Sequence, residues 1–336
     1  MIITESMSCL LIFEQGESVS SMSMHHELSG FLPVHKPRGI ISKDVSRLIE
    51  KEFRGLKLGH AGTLDPMAEG VLPLVLGKAS RLQSYMVDCD KEYFFDLVLG
   101  AETDSLDVDG KVVLECPVPP FTKEAVSSIL LDLVGDWEQV PPIYSAIKYK
   151  GKPLYYYARN GLADQVCLEN LKKVVHIREL DLVHLNGNVL TVRLVCSKGT
   201  YVRCVAREVA QRLGTCGTVH RILRSASAGI SLEDCVKYED LQKNLSKLED
   251  LIKPIEDMPL RMSRWLVPNS SMVNRLKMGQ RLKFTLLDYR ACLSGGESSR
   301  LEDDVLLVGD DKCVFGVGRG HLDDSGQFSI SMRRAL

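Results

Sequence analysis

The sequence predicts an α+β fold, with a largely antiparallel mixed sheet flanked by helices and a small β-barrel tail. Three observations carry this. First, "VVHIRELDLVHL" and "NVLTVRLVC" flank Asn186-Gly187, and an Asn-Gly pair between two β-rich runs is the strongest local hairpin signal. Second, amphipathic segments with capping residues are interspersed with short apolar runs, the pattern of helices laid on a hairpin-connected sheet. Third, "DDVLLVGDDKCVFGVGRGHLDDSGQFSI" alternates short β-type runs with Gly-Asp turns, as a small barrel does.

Residues 1–30 are rich in Ser and Met and carry no Lys or Arg, which reads as a disordered extension or a misassigned start. Order begins at Phe31. Ser42 is placed to cap a helix whose apolar face is Val45, Leu48, Ile49 and Phe53. "GVLPLVLG" and "YFFDLVLG" read as short strands. Thr122 caps "KEAVSSILL", with Phe121 set to staple against Val126. "PLYYYARNG" is a short helix stopped at Gly161. After the hairpin, Thr200 is placed to cap a helix that turns Val202, Val205, Ala206, Val209 and Leu213 inward and ends at Gly214. Ser231 opens a further helix. A break near "KPIEDMPLRM" separates residues 31–250 from a tail at 262–336.

Over 336 residues, 45% hydrophobic composition supports a substantial core. No apolar run is long enough to span a bilayer, and no basic residue precedes "CLLIF", so neither a membrane span nor a secretory signal is expected. The ten cysteines form no C-x-x-C pair, which points to reduced, mostly buried thiols in a cytoplasmic protein. Net charge is only −2, but basic residues cluster. Residues 141–160 carry Lys148, Lys150, Lys152 and Arg159 with no acid, and 196–224 carry Lys198, Arg203, Arg207, Arg212, Arg221 and Arg224 against Glu208 alone. Such clusters suit either a polyanion or a solvated face.

Within "GHAGTLDP", residues 59–66, Asp65 is a single carboxylate held before a proline, which biases it to an extended or turn conformation. An isolated Asp-Pro is most often a turn cap. Here it has company: "KPRGIIS" at 36–42, "GHAGTLDPMAEGVLPLVLGKA" from 59, "DKEYFFDLVLGAETDSLDVDG" from 90, "VPPIYSAIKYKGKPLYYYARNG" from 140 and "SKGTYVRCVAREVAQRLG" from 197. In this order and spacing they resemble the TruB family, the bacterial tRNA pseudouridine-55 synthases. The resemblance runs from about Phe31 to about Val236, and the tail resembles the PUA-like RNA-binding domain that these enzymes carry.

The resemblance implies a pseudouridine synthase fold and isomerisation of uridine-55 in the T-loop of tRNA, with no metal, cofactor or energy source. It implies Asp65 as a nucleophile that bonds and leaves again, with Arg203 as its ionic partner. Tyr93 matches the tyrosine that stacks on a flipped-out base and handles protons at it, and Tyr201 a tyrosine of the pocket. Leu223 matches an apolar contact to uracil, His60 a histidine that holds the displaced base, and Lys36 a structural or phosphate-side lysine; Gly62 and Thr63 fall in the same substrate loop. His35 and Ile41 depart from the usual first motif. The implied partner is the T-stem-loop of tRNA, met by a monomer with no obligatory protein partner.

Three other readings compete. A guide-RNA-dependent relative would share much of the site. A non-catalytic tRNA-binding or folding chaperone would need the basic clusters but not Asp65. An aspartyl-phosphate hydrolase would need a second carboxylate and magnesium; Asp104, Asp107 and Asp109 read instead as a solvated loop.

Overall fold

The structure is a computed structural model that describes residues 28–294, 303–323 and 327–336. The expected extension over 1–30 lies outside the described residues up to position 27, and Gly30 already belongs to the first strand.

The elements that build the large sheet are β1 (Gly30–Lys36), helix α1 (Ser42–Glu52), β2 (Leu58–His60), β3 (Ala68–Leu76), α2 (Gln83–Val87) and β4 (Lys91–Leu99). A hairpin of β5 (Ala101–Thr103) and β6 (Val112–Glu115) leads to α3 (Lys123–Leu131) and β7 (Gly135–Gln139). The two-residue strands β8 (Lys148–Tyr149) and β9 (Lys152–Pro153) precede α4 (Leu154–Arg159). Next come β10 (Lys173–Asn186), β11 (Val189–Cys196), α5 (Val202–Arg212), β12 (Gly217–Ser227), β13 (Ile230–Ser231) and β14 (Val236–Lys237). Ten strands form one mixed sheet in the order β14-β1-β3-β12-β4-β11-β10-β7, with β2 and β13 paired to β3 and β12. Two pairings, β1–β14 and β3–β12, are parallel; the others are antiparallel. The expected sheet type is found.

The burial pattern explains the order. β3 lies in the middle and is buried along nearly its whole length, as its near-continuous apolar run requires. β4 alternates strictly, and its buried face carries Lys91, Tyr93, Phe95, Leu97 and Leu99. Helix α5 packs on β12 and β4 through Val205, Ala206, Val209 and Ala210. Gly217 permits that approach, since a Cβ there would lie 2.7 Å from Leu97 and 3.0 Å from Ala210.

Local chemistry departs from expectation at four points. Ser42 is the first helical residue and not the cap of α1; its hydroxyl is spent elsewhere. Thr200 does not cap α5: Tyr201 holds that position, and the Thr200 hydroxyl donates to the Ser197 carbonyl. Ser231 forms a capping box with Asp234, but over one 3-10 turn, because β14 begins two residues later. The β10–β11 hairpin turns on Gly187-Asn188, one residue beyond the expected pair, since Asn186 already pairs with Val189. Thr122 does cap α3, accepting from the Ala125 amide at 3.2 Å.

A second sheet holds β15 (Arg264–Leu266), β16 (Leu282–Phe284), β17 (Leu293–Ser294), β18 (Asp304–Val308), β19 (Val314–Leu322) and β20 (Phe328–Ala335). Its order is β16-β20-β19-β18-β15-β17, a curled half-barrel of the PUA-like kind rather than a closed barrel. Its own core gathers Trp265, Leu276, Tyr289, Phe328 and Ile330. Leu306, Val308, Val314 and Val317 instead join Val71 and Val75 of β3, with Leu82 and Met86 of the helical segment that follows it, in one apolar cluster. The Tyr85 hydroxyl on α2 donates to Asp304 at 2.7 Å across the same junction.

Among the described residues, no helix is long and apolar enough to cross a membrane. Of the nine described cysteines, all free, four are buried, three are half-buried, and Cys167 and Cys313 are exposed, so the thiols are less buried than their pattern led us to expect.

Candidate active site

Asp65 sits on the loop between β2 and β3, and "KPRGIIS" braces that loop from beneath. The Ser42 hydroxyl donates to the Leu64 carbonyl at 3.0 Å and accepts from the Leu64 amide at 2.8 Å, fixing the residue before Asp65. Lys36 is fully buried, and its ammonium donates to the carbonyls of Pro37, Ile40 and Pro66 at 2.9, 2.8 and 3.4 Å. The Gly39 amide also donates to Pro66 O, at 2.8 Å. Lys36 therefore cannot meet a phosphate. Of its two expected roles, structural or phosphate-side, the geometry fits the structural one, a support of the loop and not a substrate contact, and burial lowers its pKa to about 8.

Arg203, in the first turn of α5, reaches Asp65. Its Nη2 lies 2.7 Å from Asp65 Oδ2, with 3% of the Arg203 side chain exposed against 35% for Asp65. The guanidinium is thus inside and the carboxylate faces the opening. The remaining bonds hold the arginine still: Nη2 donates to Tyr144 O at 3.0 Å and Nη1 to Ser105 O at 2.8 Å. Nη1 also lies 3.4 Å from Asp107 Oδ2.

Asp107 overturns the solvated-loop reading. It is 6% exposed, accepts from the Ser105 hydroxyl at 2.6 Å, and has its carboxyl pKa raised by burial, which the Ser105 bond and Arg203 partly oppose. Asp104 accepts from the Lys111 amide and the Tyr144 hydroxyl. Only a run of turn residues was visible in sequence; burial comes from the β5–β6 hairpin folding back beside β12, where Val108 N donates to Val219 O.

The cleft in front of Asp65 has a volume of about 260 Å³. That is below the roughly 300–1,000 Å³ typical of pockets for drug-sized ligands and suits a single nucleobase. Gly62, Thr63, Asp65, Tyr93 and Tyr201 all line it, so five of the expected residues converge there. Gly62 has φ +100°, and a Cβ there would come within 3.3 Å of Arg224, so the loop needs glycine at this point. Burial raises the phenol of Tyr93, with Arg224 beside it pulling partly back. Burial likewise raises Tyr201, against the neighbouring Ser145 hydroxyl. Both phenols keep their protons at neutral pH.

Leu223, His60 and Lys36 do not line the cleft. Leu223 pairs in register with Phe94, whereas Ile222 pairs with Phe95 and Arg224 with Tyr93. The pleat therefore turns Ile222 and Arg224 to the cleft and Leu223 to the other face, a one-residue correction. His60 ends β2, with its ring 3.0 Å from the Thr63 hydroxyl. Its pKa is lowered by burial and then by Arg224, which leaves it a neutral hydrogen-bonding group that orients Thr63 at the rim.

Sequence reasoning missed Ile222, Asp107 and two cations. Arg224, 1% exposed, donates to Val71 O at 2.7 Å and Gly62 O at 2.9 Å. Lys91 lines the cleft and donates to the carbonyls of Val87 and Cys89; burial lowers its pKa to about 8. The available signal was period 2: Lys91 and Tyr93 share a face of β4, as Ile222 and Arg224 share one of β12. The cluster at 196–224 is accordingly not one basic surface, since Arg203 and Arg224 are buried, and Arg212 and Arg221 pair with Glu208 and Glu69. The cluster at 141–160 is exposed, with Lys152 4.1 Å from the Tyr156 ring and Arg159 5.5 Å from that of Tyr155.

Among the described residues, no group of three or more His, Cys, Asp or Glu is placed to hold a metal ion. Asp107 stands on the far side of the Arg203 guanidinium from Asp65, which is not the arrangement of a shared magnesium site.

Known proteins match this chain over the same region. The family model of the TruB family pseudouridylate synthase, N-terminal domain, matches residues 49–202. The tRNA pseudouridine synthase B of Alkaliphilus oremlandii (strain OhILAs) is 34% identical over 255 residues, covering 76% of this chain and 83% of that protein. The enzyme of the same name from Francisella tularensis subsp. novicida (strain U112) is 39% identical over 220 residues, covering 65% of this chain and 71% of its own. Among solved structures, an H/ACA RNP bound to a substrate RNA containing 2'-deoxyuridine superposes with a TM-score of 0.68 at 16% identity, over 94% of this chain and 86% of that one, which speaks for the fold alone. With the sheet, the Asp65 loop and this degree of identity in agreement, the chain belongs to the TruB family of pseudouridylate synthases.

Proposed function

We propose that the protein isomerises uridine to pseudouridine in tRNA, at position 55 of the T-loop, with Asp65 as the nucleophile. The observation that carries this reading is the ion pair at the cleft mouth: a half-exposed carboxylate held at 2.7 Å by a buried arginine. The names of the relatives support tRNA as substrate. A paired base is inaccessible in its stack, and a cleft of this size admits one flipped nucleoside.

The roles follow from the positions. Asp65 bonds to the nucleotide, the N1–C1′ bond breaks, and uracil turns so that C5 faces C1′. The C5–C1′ bond forms and Asp65 is released; the proton lost from C5 is balanced by one gained at N1. Product and substrate are isomers, so no external group is consumed. Tyr93 offers its ring to the base, with its phenol protonated; Tyr201 and Ile222 complete the walls. Arg203 keeps Asp65 aimed outward. The exposed basic and aromatic strip of 148–159 suits the RNA backbone around the target loop.

The PUA-like residues 262–336 are assigned to RNA binding beside a catalytic domain of 31–250, working as a monomer in the cytoplasm. A non-catalytic RNA chaperone would not need a buried arginine aimed at one carboxylate. Incubating the purified protein with an unmodified tRNA transcript and mapping pseudouridine by position tests the reading. Conversion at position 55 is expected; conversion elsewhere only, or none, contradicts it.

A further inference from the structure

The turn from Ser197 to Tyr201 places two groups of the site: Tyr201 at its end, lining the cleft, and Arg203 just inside α5, behind Asp65. Lys198 and Gly199 of that turn are exposed, and Gly199 has φ +82°. Neither Thr200 nor Tyr201 caps α5 with its side chain. Left alone, such a turn would sample several conformations, and Tyr201 and Arg203 with it.

Lys198 is tied to Asp88 at 2.7 Å and the Thr200 hydroxyl to Ser197 O, but the backbone from Gly199 to Tyr201 is gripped from far along the chain by Gln139. Gln139, the last residue of β7, is 2% exposed. Its Oε1 accepts from the Tyr201 amide at 2.7 Å, taking up a donor that the start of the helix leaves free. Its Nε2 donates to the Gly199 carbonyl at 3.0 Å. Only one orientation of the amide satisfies both, because an N–H must meet oxygen and a carbonyl must meet N–H. The residues after Gln139 continue along the same helix start: the Cys204 thiol donates to Val140 O at 3.3 Å, and Arg203 Nη2 to Tyr144 O at 3.0 Å.

We propose that Gln139 is a positioning residue for the reaction, clamping the Gly199–Tyr201 backbone so that Tyr201 meets the flipped nucleotide, and Arg203 holds Asp65, in one geometry. This rests on the assignment under Proposed function. Gln139 touches neither substrate nor Asp65; it acts through the turn. Its loss therefore lowers kcat and leaves the affinity for tRNA, which is spread over a wide surface, little changed.

Gln139→Met and Gln139→Glu in the full chain test this by steady-state kinetics on a tRNA transcript, beside thermal unfolding. Misplacement by about 1 Å can cost about 100-fold, so kcat is expected to fall about 10- to 100-fold with KM nearly unchanged. In Gln139→Glu the introduced carboxylate still accepts from Tyr201 N–H but repels Gly199 O. Protonation restores a donor, so its kcat relative to the parent rises as pH is lowered, and in Gln139→Met it does not. Folded variants as fast as the parent, or a loss confined to KM, overturn the role. If the variants do not fold, amide exchange in the parent decides: a protected Tyr201 amide supports the clamp, and exchange as fast as at Lys198 overturns it. A parent that makes no pseudouridine overturns the assignment of function and this role with it; an active parent with unimpaired variants overturns the role of Gln139 alone.

Discussion

Asp65 and Asp107 occupy opposite ends of one guanidinium: Arg203 Nη2 lies 2.7 Å from Asp65, and Nη1 lies 3.4 Å from Asp107. The exposed acid faces the cleft, and the buried one holds the arginine from behind. Asp107→Asn keeps the shape and removes the rear charge. Nη1 then loses its buried ionic neighbour at 3.4 Å, so Arg203 is held less firmly. We expect kcat to fall by about 10-fold or more, with tRNA binding retained. The same variant has a pH signature. Burial raises the Asp107 carboxyl in the folded state, so the folded chain binds this proton more tightly than the unfolded chain. Its contribution to stability is fully present at low pH and declines as pH rises from the ordinary Asp value of 3.8 through the raised value. Urea unfolding across acid pH should show that decline in the parent and not in Asp107→Asn.

Ile222 and Leu223 separate the two faces of β12. Trimming a wall residue of an apolar pocket costs about 10- to 200-fold in discrimination, so Ile222→Ala should lower kcat/KM by about 10-fold or more. Leu223→Ala, on the opposite face, should leave kcat/KM close to that of the parent. The reverse ranking would show that the register of β12 against β4 is misassigned.

Lys36 gives a prediction at alkaline pH. Its pKa is lowered from 10.5 to about 8, so above pH 8 the unfolded chain holds this proton and the folded one does not. Stability from this group therefore rises with pH between about 8 and 10.5, by at most about 1.4 kcal/mol per pH unit. Lys36→Met removes that slope and strands the carbonyls of Pro37, Ile40 and Pro66. Unfolding free energies of variant and parent across this window should diverge as pH rises, the variant falling behind. Parallel curves would contradict the burial of an ionisable lysine here.

Much of this was legible in the sequence because it rests on local pattern. The alternation of β4, the apolar run of β3, the hairpin after β10 and the amphipathic face of α5 all follow from period and turn chemistry. Asp65, Arg203, Tyr93 and Tyr201 came instead from the resemblance to the TruB family, whose motifs they match. What escaped depended on contacts across long separations. Asp107 reads as one of several turn acids until the β5–β6 hairpin folds against β12. Lys36 stays undecided between a structural and a phosphate-side lysine until three carbonyls surround it. Ser42 looks like a helix cap because nothing local shows that Leu64 claims its hydroxyl, whereas Thr200 misleads for a local reason, its hydroxyl turning back to the Ser197 carbonyl three residues earlier. Leu223 lies one residue from Ile222, which lines the cleft, and in a strand one residue means the opposite face.

The most direct test is Asp65→Asn, which keeps size and polarity and removes only the charge and the nucleophile. The variant and the parent would each be incubated with an unmodified tRNA transcript, with pseudouridine mapped by position and folding checked by thermal unfolding. We predict a folded variant that binds the transcript and forms no pseudouridine at position 55, while the parent converts it. A folded variant that still converts that uridine would contradict the account.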